Sequence, residues 1–204
     1  MSKKRVAVYV DGFNLYHALD DLNEPSLKWL DLWALSEKLV RNDEAVSTVK
    51  YFTAYATWRE QSYRRHQRYV QALETHRVTP IIGHFKRKTV RCAATCRELY
   101  ETHEEKETDV NIGVHLVADA LTDQFDRALI VSADTDLNAA AQLVRTHVPD
   151  KQIHIVAPPG RKGRNSSALF EITKGKVRAS LLPQQVQLQN GRMVERPAAY
   201  DPRR

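Results

Sequence analysis

The sequence predicts an α/β protein, a three-layer α/β/α sandwich around a central, mainly parallel sheet of about five strands. Three observations predict it. Short apolar, β-branched runs alternate with stretches of helical periodicity, the pattern of parallel strands joined by crossover helices. The runs Val6–Val10 and Leu129–Val131 are apolar at consecutive positions, as in strands buried on both faces. The chain has 204 residues, 42% hydrophobic and 27% charged, enough to bury one sizeable core.

Arg5–Val10 reads as the first strand. Asp31–Val40 reads as a helix capped by Asp31, since an aspartate oxygen accepts from a free backbone N–H of the first turn. Val46–Ala56, rich in Val, Tyr, Phe and Thr, is the second strand. From Arg59 to Arg77, Tyr63, Val70 and Leu73 recur at helical spacing while arginines fill the other faces. Val78–Phe85 is the third strand, and Thr108–Leu121 a strong helix with Val110, Val114, Val117 and Leu121 on one side. Arg127–Val131 is the fourth strand, Leu137–Arg145 a helix and Ile153–Ala157 the fifth strand. Pro158-Pro159-Gly160 ends that strand and opens a basic loop. Residues 1–182 are expected to form the domain. Residues 183–204 form an extension, with a small hairpin around Asn190-Gly191 and a mobile end from Pro197.

The charge is formally +6, but its distribution is more telling. Residues 59–97 hold ten Lys/Arg against two Glu, and 161–178 hold six against one. Between them, 101–136 hold ten Asp/Glu against Lys106 and Arg127. Basic segments bracketing an acidic one suit a surface that attracts a polyanion around a centre that attracts cations. Uneven solvated helix faces would look the same. No apolar run is long enough to span a membrane. The apolar stretch after Met1 is too short for a secretory leader, and two close cysteines argue against a disulfide framework. A cytoplasmic protein is expected.

Four aspartates stand out. Asp11 directly follows Val6–Val10, and Asp134 and Asp136 follow Leu129–Val131 in Ser132-Ala-Asp-Thr-Asp136. Ligands of open parallel sheets bind beyond the carboxyl ends of strands, so two adjacent strands would deliver three carboxylates to one rim. Asp109 falls in the first turn of a helix, whose N-terminus faces the same rim. Each has a bland alternative: Asp134 or Asp136 as a helix cap, Asp109 as a partner of the helix dipole, Asp11 as a turn residue before Gly12. One cap needs one aspartate, however, and packed carboxylates resist ionising together. A hard divalent cation, Mg²⁺ or Mn²⁺, removes that conflict.

Three blocks, Val10-Asp-Gly-Phe-Asn-Leu-Tyr16, Glu105-Lys-Glu-Thr-Asp-Val110 and Ile130-Val-Ser-Ala-Asp-Thr-Asp-Leu137, resemble those of NYN domains, which belong to the PIN-like nuclease group. The resemblance implies a PIN-like sandwich and hydrolysis of RNA by metal-activated water, leaving 5′-phosphate and 3′-hydroxyl ends. It makes Asp11, Asp109, Asp134 and Asp136 metal ligands, directly or through water. Asn14 would orient a carboxylate or touch substrate, Lys106 would contact a phosphate, and Ser132 would support a carboxylate or phosphate. One position departs from the pattern: Ala133 stands where glycine is common, which puts the loop's shape, and with it turnover, in question.

For the RNA backbone the candidates are Arg59, Arg64, Arg65, Arg68, Lys86, Arg87 and Lys88, with Arg161, Lys162 and Arg164 as a second contact. Trp58, Tyr63 and Tyr69 lie among them and could stack bases or fill the core. His84, Cys92, Cys96 and His103 make a Cys-x₃-Cys pair flanked by histidines, a weak candidate for a structural Zn²⁺. Two functions therefore compete: a metal-dependent endoribonuclease, and an RNA-binding regulatory module of the same fold without turnover. RNA is the expected partner of both, and a homodimer would let two acidic grooves share one RNA. A transferase using a nucleotide diphosphate lacks a glycine-rich phosphate loop, and an aspartyl-nucleophile phosphatase lacks a second acid two residues after Asp11.

Overall fold

The structure is a computed structural model and describes residues 2–92, 98–163 and 167–202. Among the described residues nine strands form: β1 (Lys4–Asp11), β2 (Glu44–Ala54), β3 (Val78–Arg91), β4 (Leu99–Lys106), β5 (Arg127–Val131), β6 (Gln152–Ala157), β7 (Phe170–Glu171), β8 (Gln185–Gln187) and β9 (Met193–Glu195). The helices are α1 (Gly12–Asp21), α2 (Leu32–Glu37), α3 (Glu60–Thr75), α4 (Thr108–Leu121), α5 (Leu137–His147) and α6 (Lys174–Arg178). Seven strands make one sheet in the order β4-β3-β2-β1-β5-β6-β7, parallel throughout except for the antiparallel pair β3–β4.

β1 occupies the centre, which explains its unbroken apolar run: Val6 to Val10 alternate between two cores. Val6, Val8 and Val10 pack with α1, α2 and α3 through Leu15, Leu19, Leu35 and Leu73. Ala7 and Tyr9 pack on the opposite face with α4 and α5 through Ile112, Leu116, Leu137 and Ala141. At the amino end of the strands Arg127 and Glu44, both almost wholly buried, form an ion pair at 2.9 Å. Asp31 caps α2, accepting from the Ala34 N–H at 3.0 Å.

Seven strands rather than about five correct the expected sheet. β3 runs on to Arg91 because β4 folds back along it from Leu99. β4 reads Leu-Tyr-Glu-Thr-His-Glu-Glu-Lys, a charged edge strand without the apolar signal of a core strand. β7 is two residues long. The face of α4 is also corrected. Val110, Val114 and Leu121 are 65%, 61% and 67% exposed, while Ile112, Leu116 and Ala120 are buried. Both stripes are apolar; of the predicted line Val117 alone packs partly against the core formed by Ile112, Leu116 and Ala120.

Beyond β7 the chain stays in the same core. Val186 and Val194 pair across β8–β9 and are buried in the α3 face, and Trp29 donates to the Pro183 carbonyl at 2.8 Å. Among the described residues no helix is long and apolar enough to cross a membrane.

Candidate active site

The carboxyl ends of β1 and β5 are neighbours in the sheet, since Val10 pairs with Val131. Asp11 is therefore brought beside the loop Ser132–Asp136. It is 5% exposed and caps α1, with Oδ1 accepting from the Asn14 N–H at 3.0 Å. Its Oδ2 accepts from the Ser132 hydroxyl at 2.9 Å, and Ser132 Oγ in turn accepts from the Asp134 N–H at 3.0 Å. Asp134 Oδ1 accepts from the Asp136 N–H at 2.9 Å, which bends the loop into α5. Asn14 Oδ1 accepts from the Ala133 N–H at 3.1 Å, tying α1 to this loop. Ala133 is not among the residues with positive φ, so alanine takes the glycine position without strain.

Asp109 in the first turn of α4 faces the same rim. Burial and then the charge of Asp134 push Asp11 above the usual aspartate range, against the hydrogen bonds that lower it. Asp109 is raised by burial and by Asp11, Asp134 and Asp136 together. Asp11 and Asp109 thus lie within reach of the Ser132–Asp136 loop at one rim. A residue the sequence reading passed over joins them. Glu105 on β4 is raised to about 7 by burial, Asp11 and Asp109, while the Thr108 hydroxyl donates to it. Its signal was present as the first residue of the block Glu105–Val110, but only pairing on β4 aims it at the rim. Glu107, between them, holds φ +76° at the start of α4, a left-handed turn that costs a non-glycine residue about 1 kcal/mol.

The aspartate set suits a hard divalent ion chemically, being all oxygen and short of neutralising charge. Among the described residues, no three Asp, Glu, His or Cys side chains are already arranged to hold a metal ion. Uncompensated carboxylates repel, and Asp109 and Asp136 are exposed side chains at the mouth of the site.

The other predicted residues are less concentrated. Register places His84, Lys86, Lys88, Glu104 and Lys106 on one face of the β3–β4 hairpin and Phe85, Arg87, His103 and Glu105 on the other. Lys106 lies 2.9 Å from Glu104, on the face away from Glu105. Arg87 and Lys88 pair with Glu101 and Glu104 at 3.3 and 3.5 Å. His84 is 3.2 Å from Glu107 and His103 stacks on Trp58, so the two histidines of the expected zinc site point to opposite faces. Cys92 is a free cysteine, and Cys96 lies outside the described residues. Among the described residues, the hairpin's alternation thus keeps His84 and His103 apart.

On α3, Arg64 pairs with Glu60 and Arg68 is exposed, whereas Arg65 turns toward Ser62 and, with Arg59, lines a cavity. Tyr69 is a core residue whose hydroxyl donates to the Leu30 carbonyl at 2.8 Å. Tyr63 packs edge-on against Tyr55, and Trp58 remains half exposed. Arg161 pairs with Asp21, Lys162 reaches the Leu169 carbonyl, and Arg164 lies outside the described residues.

A mainly parallel sandwich with its acidic rim at the carboxyl ends of β1 and β5 has the PIN-like nuclease fold. The chain belongs to the NYN domain family, which matches residues 5–172. It is similar to 6-hydroxy-3-succinoylpyridine 3-monooxygenase of Pseudomonas putida, 31% identical, over 83% of this chain and 64% of that protein. The chain therefore spans a little under two thirds of the curated relative it matches. The crystal structure of a Vibrio parahaemolyticus protein of unknown function shares the fold, with TM-score 0.56 and 16% identity, over 89% of this chain and 98% of that one.

Proposed function

We propose that the protein is a metal-dependent endoribonuclease that hydrolyses RNA with Mg²⁺ or Mn²⁺. One observation carries this reading: Asp11 at the end of β1 is joined through the Ser132 hydroxyl to the Asp134 loop at the end of β5, with Asp136 on the same loop and Asp109 in the first turn of α4. Asp11, Asp109, Asp134 and Asp136 would hold the cation. When bound, it supplies water activation and stabilises charge on the leaving oxygen. Ser132 and the Asn14 N–H fix both oxygens of Asp11, so that carboxylate is oriented before any ligand arrives. Asn14 holds the Ala133 loop, and through it Asp134, at a set distance from α1. Glu105, on β4 beside Asp11 and Asp109, is placed to pass a proton at the rim. Water attacks phosphorus, the bond to the 3′ oxygen breaks, and that oxygen leaves with a proton.

The test is cleavage of single-stranded RNA with Mg²⁺ or Mn²⁺ by wild type, Asp11→Asn and Asp134→Asn. Each variant is expected to lose about 100-fold or more in rate, the scale of losing a preorganised electrostatic contact. Binding without cleavage by wild type would instead establish the regulatory RNA-binding module. RNA is the proposed partner, a cytoplasmic location is proposed with it, and a homodimer, whose two acidic grooves would share one RNA, is the proposed assembly. Sedimentation of the full chain as a monomer would remove that assembly.

A second reading has its own support. The Pseudomonas relative is named for a reaction on a pyridine, and this chain carries a cavity walled by aromatic rings. Turnover of a hydroxylated acylpyridine with O₂ and a two-electron reductant supplied, followed by chromatography, would favour small-molecule chemistry over RNA.

A further inference from the structure

A cavity of about 330 Å³ opens beside the acidic rim, on the α1 and α3 side of the sheet. Its rim and walls are rings. Trp58 meets Phe85 edge-on at 4.8 Å and His103 face to face at 3.6 Å, and Tyr16 and Tyr200 also line it. At its floor are three polar groups with long, weak contacts: His66 Nε2 lies 3.3 Å from Thr53 Oγ1 and 3.4 Å from the Tyr51 hydroxyl. Such lengths leave hydrogen-bonding capacity for a ligand. Burial pushes His66 down to about 4, so it is neutral and offers one donor and one acceptor. No carboxylate lines the cavity among the described residues, whereas Arg59, Arg65 and Lys28 do, the last already paired with Asp20.

Flat apolar walls, a neutral polar floor and a cationic mouth describe a planar heteroaromatic ring that carries an anionic group. The volume is near the lower end of the range of about 300–1,000 Å³ for ligand pockets, so it fits one nucleotide rather than a length of duplex. The cavity is also joined to the rim. Gly12 and Phe13, which follow Asp11, form part of its wall. On β4, His103 stands in the cavity wall and Glu105, two residues on and on the same face, is coupled to Asp11 and Asp109.

We propose that this cavity binds one unpaired nucleobase, its phosphate lying toward Arg59 and Arg65. A base read there would select single-stranded RNA for the acidic rim, and only this last step rests on the ribonuclease reading. The ring could come from an RNA strand or from a free nucleotide, and the experiment separates them.

The full chain, in EDTA, is titrated with nucleoside 5′-monophosphates, a short single-stranded oligoribonucleotide, the same oligonucleotide with an abasic site, ribose 5-phosphate and a pyridine carboxylate, following tryptophan fluorescence with Trp58→Leu as the blank for Trp29 and Trp33. Ring-bearing nucleotides are expected to quench it and ribose 5-phosphate is not. Trp58→Leu, followed by calorimetry, and Ser62→Phe, which fills the cavity from α3, are expected to weaken binding about tenfold, the scale of one lost base–aromatic stack. Thermal melts establish that both variants are folded. A stronger response to the oligonucleotide than to monophosphates, reduced by the abasic site, identifies the strand as the source; the reverse order identifies the free nucleotide. Equal binding of ribose 5-phosphate, or undiminished nucleotide binding by folded Ser62→Phe, overturns the proposal. So does binding of the pyridine carboxylate alone. Metal-dependent cleavage with an empty cavity leaves the ribonuclease reading standing; nucleotide binding in the cavity without cleavage does the opposite.

Discussion

At the residue scale, the site depends on side chains held in states that water would not favour. His66 is the plainest case, faced by Tyr51, Thr53 and Tyr55 and kept neutral by burial, which brings it to about 4. An unfolded chain protonates this imidazole near 6.5, so between there and about 4 the unfolded state binds the extra proton. The stability His66 contributes is therefore complete above about pH 6.5 and is lost as pH falls toward 4. Its full size is about 3 kcal/mol. Thermal melts from pH 7 to 4 should show wild type losing more stability than His66→Gln. Parallel curves would mean that the imidazole is solvated. Asp11 and Asp134 were legible from their positions after apolar runs, because a buried strand can place a carboxylate only at its end. Glu105 was not legible, because nothing in Leu99–Lys106 marks it as a strand, and only strand alternation aims Glu105 at the rim.

At the element scale, the sheet is closed at its amino end by Arg127 on β5 and Glu44 on β2, which meet across β1. Charges so deeply buried are costly to separate, and Arg127 Nε has no hydrogen-bond partner in the described structure. Glu44→Gln should cost about 3–5 kcal/mol in urea unfolding, since it leaves the guanidinium uncompensated. The double variant Glu44→Leu/Arg127→Met should recover most of that loss. A small effect of the single variant would show that water reaches the pair. α4 shows why helical periodicity went astray. Val110, Val114, Val117 and Leu121 form one apolar line, and Ile112, Leu116 and Ala120 another. Periodicity recognises a helix from either, but which line meets the sheet is decided by packing with distant elements, which periodicity does not see. α1 escaped notice for a related reason. Gly12 at its start reads as a turn, yet an added Cβ there would lie 2.6 Å from the Phe52 carbonyl, so glycine is needed for closeness to β2.

At the scale of the whole molecule, the alternation of strands and helices was enough to set the architecture, and the count of strands was not. The extra strands are edges, where one neighbour is missing and polar side chains serve as well as apolar ones. The segment after the last parallel strand is as much part of the core as the sheet is. Removing residues 183–204 takes away Val186, Val194 and the carbonyl that receives the Trp29 N–H. Such a truncation should lower the melting temperature by about 10 °C or more, as loss of two buried aliphatic side chains implies. An unchanged melt would show the hairpin to be an ornament.

Tyr200 lines the aromatic cavity, yet it lies downstream of residue 172, where the family match ends. The acidic blocks and the ring that completes the neighbouring wall therefore come from different stretches of the chain. A substitution at Tyr200 would alter what the cavity admits and leave every aspartate of the rim in place.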